Sequence, residues 1–255
     1  MTQRGGVVIT GASGGIGRET ALELGRRGYP VCVHYFKDRD SAEQTVNVLK
    51  DECKVDAFAF GGDIADENTA KMLIDQAAER FGTIYALVCI AGISPKNNGN
   101  RIFTEDTDPD QWDLVMRVNL RGMFLPCKYV IPLMKRQREG NIITMSSIVG
   151  RTGWSGPAGT HYAASKGAII NLTRTMAKEL GPYGIRVNGV APGWITTPLT
   201  QSISSAQTGA ILEEIPLRRF GRPEDVAKSI AFLLSSDAGY ITGVTLDING
   251  GWYIG

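Results

Sequence analysis

The chain has 255 residues, enough to bury a substantial hydrophobic core in one or two domains. Its 27 basic and 26 acidic side chains leave a formal net charge of +1, too little to attract nucleic acid or an anionic membrane surface. No apolar run approaches the ~18 to 20 residues of a membrane span, and the first residues lack the pattern of a signal peptide. We therefore predict a cytoplasmic protein with neither nucleic acid nor membrane as a partner.

Cysteine and histidine usage gives no sign of metal binding. The four cysteines, at positions 32, 53, 89 and 127, show no CxxC spacing, and three lie in apolar or helix-like segments. This placement favours buried free thiols in a reducing compartment. His34 and His161 have no cysteine cluster beside them, whereas zinc and iron sites need several such ligands. The sequence therefore predicts no metal site.

Short apolar segments rich in β-branched residues recur along the chain, separated by amphipathic stretches of helical length. They are VVIT from residue 7, VCVHYF from 31, AFAF from 57, YALVCIAG from 85, NIITMS from 141, IRVNGVA from 185 and VTLDI from 244. Strands that alternate with helices predict crossover connections and a parallel sheet covered on both faces. Because no linker, repeat or charge block marks a boundary, we predict a single α/β, doubly wound Rossmann-type domain over residues 1–255, with a seven-stranded parallel sheet.

The first predicted strand runs directly into the glycine-rich segment TGASGGIG, residues 10–17. Gly11, Gly15 and Gly17 punctuate this strand-to-helix turn and let backbone amides approach a pyrophosphate. The helix behind the turn adds about half a positive charge. A strand before the motif and a helix after it are the context of a dinucleotide site, although the spacing is G-x3-G-x-G rather than the general G-x-G-x-x-G. The alternative is a glycine-rich turn that binds nothing.

The segment HYAASKGAI, residues 161–169, places Tyr162 and Lys166 four positions apart. On a helix these side chains share one face. A free tyrosine titrates near ~10, but a cation ~4 Å away at an effective dielectric of ~20 contributes about 4 kcal/mol. We therefore expect Lys166 to lower the pKa of Tyr162, so that the phenol exchanges protons near neutral pH. A surface pair without function is the alternative.

Several motifs together indicate a family. They are TGASGGIG at 10–17, VNLRG with Asn119, MSSIVG with Ser147, YAASK with Tyr162 and Lys166, and APGWITT at 191–197. With these, and with the tail GRPEDVAKSIAFLLSSDAGYITGVTLDINGG, the sequence resembles the short-chain dehydrogenase/reductase family from end to end, and especially its 3-oxoacyl-carrier-protein reductase and glucose dehydrogenase branch. The resemblance implies hydride transfer between a nicotinamide and a ketone or secondary alcohol.

The resemblance also implies roles for single residues. Tyr162 is the expected general acid/base, and Lys166 the neighbour that lowers its pKa and binds the ribose. Ser147, preferred to Ser146 by its position in the motif, would bind the substrate carbonyl, and Asn119 would anchor a proton-relay water. Carbonyl reduction develops negative charge on oxygen, so it needs both a hydrogen-bond donor and a proton donor there. The expected cofactor-binding residues are Gly11, Ser13, Gly14, Gly15, Ile16, Gly17, Lys37, Arg39, Asp63, Ile64, Ala91, Gly92, Tyr162, Lys166, Pro192, Gly193, Ile195 and Thr197.

The end of the second predicted strand, HYFKDRD, bears on the choice of cofactor. An NAD-selective site usually has an acidic side chain there, which binds the ribose hydroxyl. Here aromatic residues occupy the strand end, and Lys37 and Arg39 follow, which suits the 2′-phosphate of NADP(H). Because Asp38 lies between the two cations, we expect a modest NADP(H) preference with some NAD(H) use. The alternative is a charged turn that contacts no cofactor.

The segment after the fourth predicted strand departs from the family pattern. It reads CIAG, with Cys89 and Ile90 where relatives usually have two asparagines, so the polar ties of those asparagines are expected to be absent. Cys89 is predicted to be a buried core thiol rather than a catalytic one. Ala91 and Gly92 still permit close approach of a cofactor.

The leading functional hypothesis is an NADPH-dependent 3-oxoacyl or ketone reductase. The alternatives are an NAD-dependent dehydrogenase of a sugar or other secondary alcohol and, on the same fold, a nucleotide-sensing protein without catalysis. A substrate lid is predicted at about residues 194–220, over a small or medium, largely uncharged ligand. The resemblance and the apolar tail YITGVTLDINGGWYIG predict a homotetramer, with packing of the tail on its own domain as the alternative.

Overall fold

The protein is described by a computed structural model that covers residues 5–96, 100–153, 158–197 and 205–255, with the side chains of 205–207 left out. Within these ranges, seven strands form one sheet in the order β3-β2-β1-β4-β5-β6-β7, and all neighbours are parallel. The strands are β1 (Gly6–Thr10), β2 (Val31–Tyr35), β3 (Ala57–Gly61), β4 (Ile84–Cys89), β5 (Gly140–Met145), β6 (Ile185–Pro192) and β7 (Thr245–Ile248). Each coincides with a predicted apolar segment, so the predicted fold class is confirmed.

The connecting segments are mostly helical. The helices are α1 (Gly15–Arg26), α2 (Arg39–Asp51), α3 (Glu67–Phe81), α4 (Pro109–Met116), α5 (Gly122–Gln137), α6 (Val149–Thr152), α7 (Thr160–Leu180), α8 (Ser205–Glu214) and α9 (Pro223–Leu234). A π-helical turn, Arg117–Arg121, joins α4 to α5, and 3-10 turns lie at Gly181–Tyr183 and Ser236–Ala238. None of the helices in the described ranges is both long and apolar enough to cross a membrane.

The sheet is buried on both faces, which explains why its strands read as continuous apolar runs. Successive residues of a strand point to opposite faces. Val7 and Ile9 therefore pack in the core that contains buried residues of α1, α2 and α9, whereas Val8 packs in the core that contains α3, α5 and α7. Because helices cover both faces of the sheet in the described ranges, we expect the ligand site at the ends of the strands.

The strand order reverses between β1 and β4, because the chain runs from β1 outward to β3 before it crosses back to β4. In doubly wound sheets the ligand crevice lies outside the carboxyl ends of the strands at this reversal. The glycine turn follows β1, CIAG lies at the end of β4, MSSIVG at the end of β5, and APGWITT at the end of β6. The fold therefore gathers the predicted motifs at one edge of the sheet.

The C-terminal tail packs on its own domain. The Trp252 indole Nε1 donates to Glu214 Oε2 at 2.8 Å, which ties the tail to α8. Trp252 and Tyr253 also pack against a small cluster that contains Ile148 and Val149. The predicted lid is seen only in part, since residues 198–204, with Leu199 and Ile203, lie outside the described residues.

Candidate active site

The turn between β1 and α1 has the geometry of a phosphate cradle. Gly11 and Gly15 have φ of +67° and +53°, a backbone region that favours glycine. A Cβ on Gly17 would lie 2.1 Å from the Gly11 carbonyl oxygen, so only glycine lets the turn close this tightly onto the helix. The first turn of α1 contains no acidic side chain that would oppose an anion at its N-terminus. The cradle therefore fits the pyrophosphate of a dinucleotide.

A cleft of about 440 Å³ opens beside this turn, at the reversal in strand order. Predicted cofactor-binding residues line it, namely Gly11, Ser13, Gly14, Gly15, Ile16, Gly17, Ala91, Gly92, Tyr162, Lys166, Pro192, Gly193, Ile195 and Thr197. Ser147 lines it as well, together with four residues outside the predicted set of site residues: Asp38, Ile90, Met145 and Ser146. The structure thus brings most of the predicted site into one place.

Lys37 and Arg39 are not among the lining residues of this cleft. Both side chains are exposed: Lys37 Nζ lies 5.2 Å from the centroid of the Phe36 ring, and Arg39 pairs weakly with Glu43 at 3.7 Å. Asp38, between them, lines the cleft, while its carboxylate caps α2 by accepting from the Ser41 amide at 3.1 Å. The predicted contact of Lys37 and Arg39 with the cofactor stays a prediction, and Asp38 is the residue of this turn that lines the cleft.

Asp63 and Ile64 also lie outside the cleft lining. The Asp63 carboxylate is occupied on both oxygens, since Oδ1 accepts from the Ala65 amide at 2.9 Å and Oδ2 from Arg117 at 2.8 Å. Ile64 is buried against the start of α5, where a Cβ on Gly122 would lie 3.0 Å from Ile64 Cγ2. Both side chains therefore have structural partners within the protein, and their predicted contact with the cofactor stays a prediction.

Tyr162 and Lys166 lie on α7, one turn apart, as the spacing predicted. The lysine Nζ lies 5.5 Å from the centroid of the Tyr162 ring and donates to the Met145 carbonyl at the end of β5, at 2.8 Å. Lys166 is buried, and a Cβ on Gly92 would lie 3.5 Å from Nζ. The ammonium is thus held between the ends of β4 and β5, in the floor of the cleft.

Burial dominates the electrostatics of this pair. It raises the pKa of the Tyr162 phenol above its ordinary value, and a hydrogen bond with Ser147 opposes the shift. Burial also lowers the pKa of Lys166 to about 8. The predicted lowering of the Tyr162 pKa by Lys166 does not outweigh this desolvation, since the lysine nitrogen is directed to Met145. At pH 7 the phenol is therefore neutral and carries the proton that a developing alkoxide needs.

The two serines after β5 have different partners. The Ser146 hydroxyl donates to the Lys166 carbonyl at 2.7 Å and so fixes β5 to α7. The Ser147 hydroxyl accepts from the Val149 amide at 3.3 Å, and Ser147 lines the cleft with Tyr162, whose pKa it lowers against the effect of burial. The preference for Ser147 over Ser146 agrees with this arrangement, since the Ser146 hydroxyl is engaged with the backbone of α7 whereas Ser147 acts on the pKa of the phenol.

Asn119 lies in the π-helical turn between α4 and α5, an irregularity that is frequent at functional sites. Its Oδ1 accepts from the Ile93 amide at 2.7 Å, and its Nδ2 donates to the Ile93 carbonyl at 3.0 Å and to Ser165 Oγ at 3.1 Å. The side chain therefore fastens the segment after β4 to α7. The predicted proton-relay water stays a prediction.

The unusual CIAG segment has a polar tie that the sequence analysis missed. Thr10 Oγ1, at the end of β1, accepts from the amides of Ile90 and Ala91 at 3.1 and 3.2 Å. Cys89 is buried, as predicted, with its Sγ 4.0 Å from the Sγ of Cys127. One hydroxyl on the neighbouring strand therefore holds the end of β4 in place without the usual asparagines.

Comparisons with known proteins agree with this geometry. A family model described as enoyl-(acyl carrier protein) reductase matches residues 11–253. The 3-oxoacyl-[acyl-carrier-protein] reductase FabG of Staphylococcus epidermidis is 42% identical over 247 residues, which cover 97% of this chain and 98% of the relative. The chain belongs to the short-chain dehydrogenase/reductase family. It is also 38% identical to the (3R)-3-hydroxyacyl-CoA dehydrogenase of Homo sapiens over 97% of this chain and 95% of that protein.

Solved structures extend the match from sequence to fold. A crystal structure of a 3-oxoacyl-[acyl-carrier protein] reductase from Brucella melitensis ATCC 23457 has a TM-score of 0.92 and 35% identity, and covers 99% of this chain and 92% of that one. A 3-oxoacyl-[acyl-carrier protein] reductase from Brucella melitensis with bound NAD has a TM-score of 0.90 and 34% identity, over 100% and 93% of the two chains. As a short-chain dehydrogenase/reductase, the protein is an oxidoreductase that binds a nicotinamide dinucleotide, for which its glycine cradle is suited.

Proposed function

We propose that the protein reduces the carbonyl of a 3-oxoacyl thioester or a related ketone, with NADPH as the preferred hydride donor. The observation that carries this proposal is the convergence of Ser147, Tyr162 and Lys166 in the lining of the dinucleotide cleft, with Tyr162 and Lys166 one helical turn apart on α7. The names of the matched relatives support the substrate class, since they describe acyl chains that carry an oxygen on the third carbon.

A bound nicotinamide would supply the hydride, and the chain's own residues supply what else carbonyl reduction requires. The Ser147 hydroxyl is placed to bind the carbonyl oxygen, where negative charge develops. Tyr162, neutral at pH 7 because its pKa is raised, is the proton donor to that oxygen. The Lys166 ammonium, buried in the same floor, stabilises the phenolate that remains.

Turnover by the wild-type protein tests the function. We expect NADPH oxidation with a 3-oxoacyl-CoA thioester and with simple ketones. We expect weak or absent turnover when the same 3-oxoacyl group is attached to an acidic carrier protein, and little oxidation of sugars. Robust turnover restricted to the carrier-bound chain would contradict the carrier expectation. Oxidation of a sugar or another secondary alcohol in preference to any ketone would favour the dehydrogenase alternative. Measurable dinucleotide binding without turnover of any carbonyl or alcohol would favour a nucleotide sensor.

The proposed NADP(H) preference has two supports. The end of β2 is aromatic, so no carboxylate occupies the usual NAD-selective position, and the exposed Lys37 and Arg39 are the chain neighbours of Asp38, which lines the cleft. Asp38, which lines the cleft between them, opposes a 2′-phosphate and supports residual NAD(H) use. The balance favours a modest preference rather than strict selectivity.

Combined replacement Lys37→Ala and Arg39→Ala should raise the Kd for NADPH at least tenfold and leave the Kd for NADH within about twofold. The reason is that a charge-assisted hydrogen bond to phosphate contributes about 1.5 to 3 kcal/mol, whereas NADH has no 2′-phosphate. Fluorescence titration with both cofactors measures the two constants. Lys50→Ala, in the last turn of α2, is the charge control. Tighter wild-type binding of NADH than of NADPH would contradict the proposal.

We also propose a homotetramer, because the chain has two separate exposed apolar surfaces. One lies on α4, the π-helical turn, α5 and α7, where Met116, Leu120, Phe124, Ala168 and Leu172 line a groove that Arg117 and Arg121 also line. The other lies on α9 and β7, where Phe232, Val244 and Leu246 are exposed. Two self-complementary surfaces on one chain generate a tetramer with dihedral symmetry.

Light scattering should report a tetramer for the wild type and dimers for Phe124→Asp and for Val244→Asp; a wild-type monomer would contradict this assembly.

A further inference from the structure

His161 precedes the proposed proton donor in the chain, and both of its ring nitrogens are engaged. Nδ1 accepts from the backbone amide of Tyr162 at 2.8 Å, and Nε2 lies 3.2 Å from Gln111 Oε1. Because Nδ1 is an acceptor, the proton of the neutral ring is on Nε2, which donates to Gln111. The side chain is 0% exposed. The ring therefore has no free nitrogen with which to exchange protons with a substrate.

The first of these contacts solves a local problem at the start of α7. The first amides of a helix lack partners within it, and the residue before α7 is Gly159, which has no side chain to cap them. His161 Nδ1 takes over one of these amides, and that amide belongs to Tyr162 itself. The ring lies against Gly159, since a Cβ there would lie 2.6 Å from His161 Cε1.

The second contact joins α7 to the chain segment between β4 and the π-helical turn. Gln111 lies on α4, so the hydrogen bond from His161 spans two helices. A parallel contact joins Thr160 Oγ1, in the same turn of α7, to Thr104 Oγ1 at 2.9 Å. The start of α7 is thus stabilised by one contact within the helix, from His161 to the Tyr162 amide, and by two contacts with residues outside it, Thr104 and Gln111.

We propose that His161 is a positioning residue for the carbonyl reduction: it holds the backbone of Tyr162 in place and links it to α4 through Gln111. The phenol must stay within hydrogen-bond reach of Ser147, and a misplacement of about 1 Å at a reacting group costs up to about 100-fold in rate. Lys166 is fixed independently by Met145. Loss of the His161 contacts should therefore lower kcat without weakening cofactor binding.

Three variants separate the contacts from simple packing. His161→Phe keeps a planar ring but removes both nitrogens, so kcat should fall at least tenfold while the Kd for NADPH stays within twofold. His161→Asn keeps an acceptor close to the Tyr162 amide and should recover part of that loss. Gln111→Leu should give a smaller fall, and its effect should be largely lost in the His161→Phe background, since both act through one hydrogen bond.

The proposal rests on the proposed function, so one readout must not depend on turnover. Amide hydrogen exchange at Tyr162 measures the contact directly, and it should accelerate in His161→Phe and much less in His161→Asn. Unchanged exchange and wild-type kcat in His161→Phe would overturn the proposal. Equal losses of kcat in His161→Phe and His161→Asn would assign His161 a merely structural role and would also overturn the proposal. A loss of kcat that accompanies loss of NADPH binding and of thermal stability would do the same. Inactive wild-type protein with the expected exchange pattern would reject the proposed function but retain the contact.

Discussion

Tyr162→Phe is expected to lower kcat at least ~100-fold and to leave the Kd for NADPH nearly unchanged. A positioned general acid contributes typically ~10² to 10⁴-fold to the rate, and the phenylalanine ring retains the packing of Tyr162 while it lacks the proton. The variant also leaves Lys166 on its Met145 carbonyl, so the cofactor side of the floor is preserved. Single-turnover oxidation of NADPH with a reactive ketone measures the loss at the chemical step.

The matched control for this variant is Tyr183→Phe. Tyr183 lies outside the cleft, in the 3-10 turn after α7, with Lys135 Nζ 4.3 Å from its ring centroid. Loss of its hydroxyl should leave both kcat and cofactor binding unchanged. Near-normal turnover by Tyr162→Phe, or a comparable loss in both variants, would remove Tyr162 from its proposed role.

The spacing of Tyr162 and Lys166 predicted their common helical face but not their electrostatics. Helical periodicity fixes which side of α7 a residue occupies, whereas a lysine has a long side chain whose end is set by tertiary contacts. Here the Met145 carbonyl lies within reach of Nζ, and burial raises the pKa of the phenol. The direction of a pKa shift depends on desolvation, which no pattern of sequence spacing contains.

In the rest of the molecule, too, local sequence patterns predicted the secondary structure, whereas contacts between distant residues were not predictable. Seven strands were predictable because a sheet covered on both faces needs continuous apolar strands, and β1 is buried along its whole length. The glycine cradle was predictable because only glycine tolerates the closeness of residues 11 and 17. The contacts of Thr10 with Ile90 and of His161 with Gln111 were not, since they join residues that are distant in the chain and of ordinary type.

His34 is another residue whose role depends on such distant contacts. It lies at the end of β2 and is 1% exposed. Its Nδ1 is 3.2 Å from the Gly11 amide, which donates to it, and its Nε2 is 3.0 Å from the Gly62 carbonyl. One neutral ring therefore joins the phosphate cradle after β1 to the turn after β3, and burial lowers the pKa of His34 to about 4.

This lowered pKa predicts that the free energy of unfolding decreases as the pH falls from about 6.5 to about 4. In that window the unfolded chain binds a proton at His34, whose ordinary pKa is 6.5, while the folded protein does not. The stabilisation is thus complete above 6.5 and is lost as the pH falls towards the folded pKa; at ~1.4 kcal/mol per pKa unit, the loss amounts to about 3 kcal/mol. Urea unfolding at pH 7, 5.5 and 4 measures it.

His34→Asn isolates this contribution, because an asparagine offers one acceptor and one donor but does not titrate. Carboxylates such as Asp56, whose pKa is lowered by Arg80, also lose stabilising contacts in acid. The contribution of His34 is therefore the difference between the wild type and His34→Asn in the loss of unfolding free energy. We expect the wild type to lose about 3 kcal/mol more than His34→Asn between pH 7 and pH 4. Equal losses would show that His34 does not stay neutral in the folded protein.

Protonation of Nδ1 would also remove the acceptor of the Gly11 amide, so NADPH affinity should weaken over the same acidic range in the wild type and less in the variant.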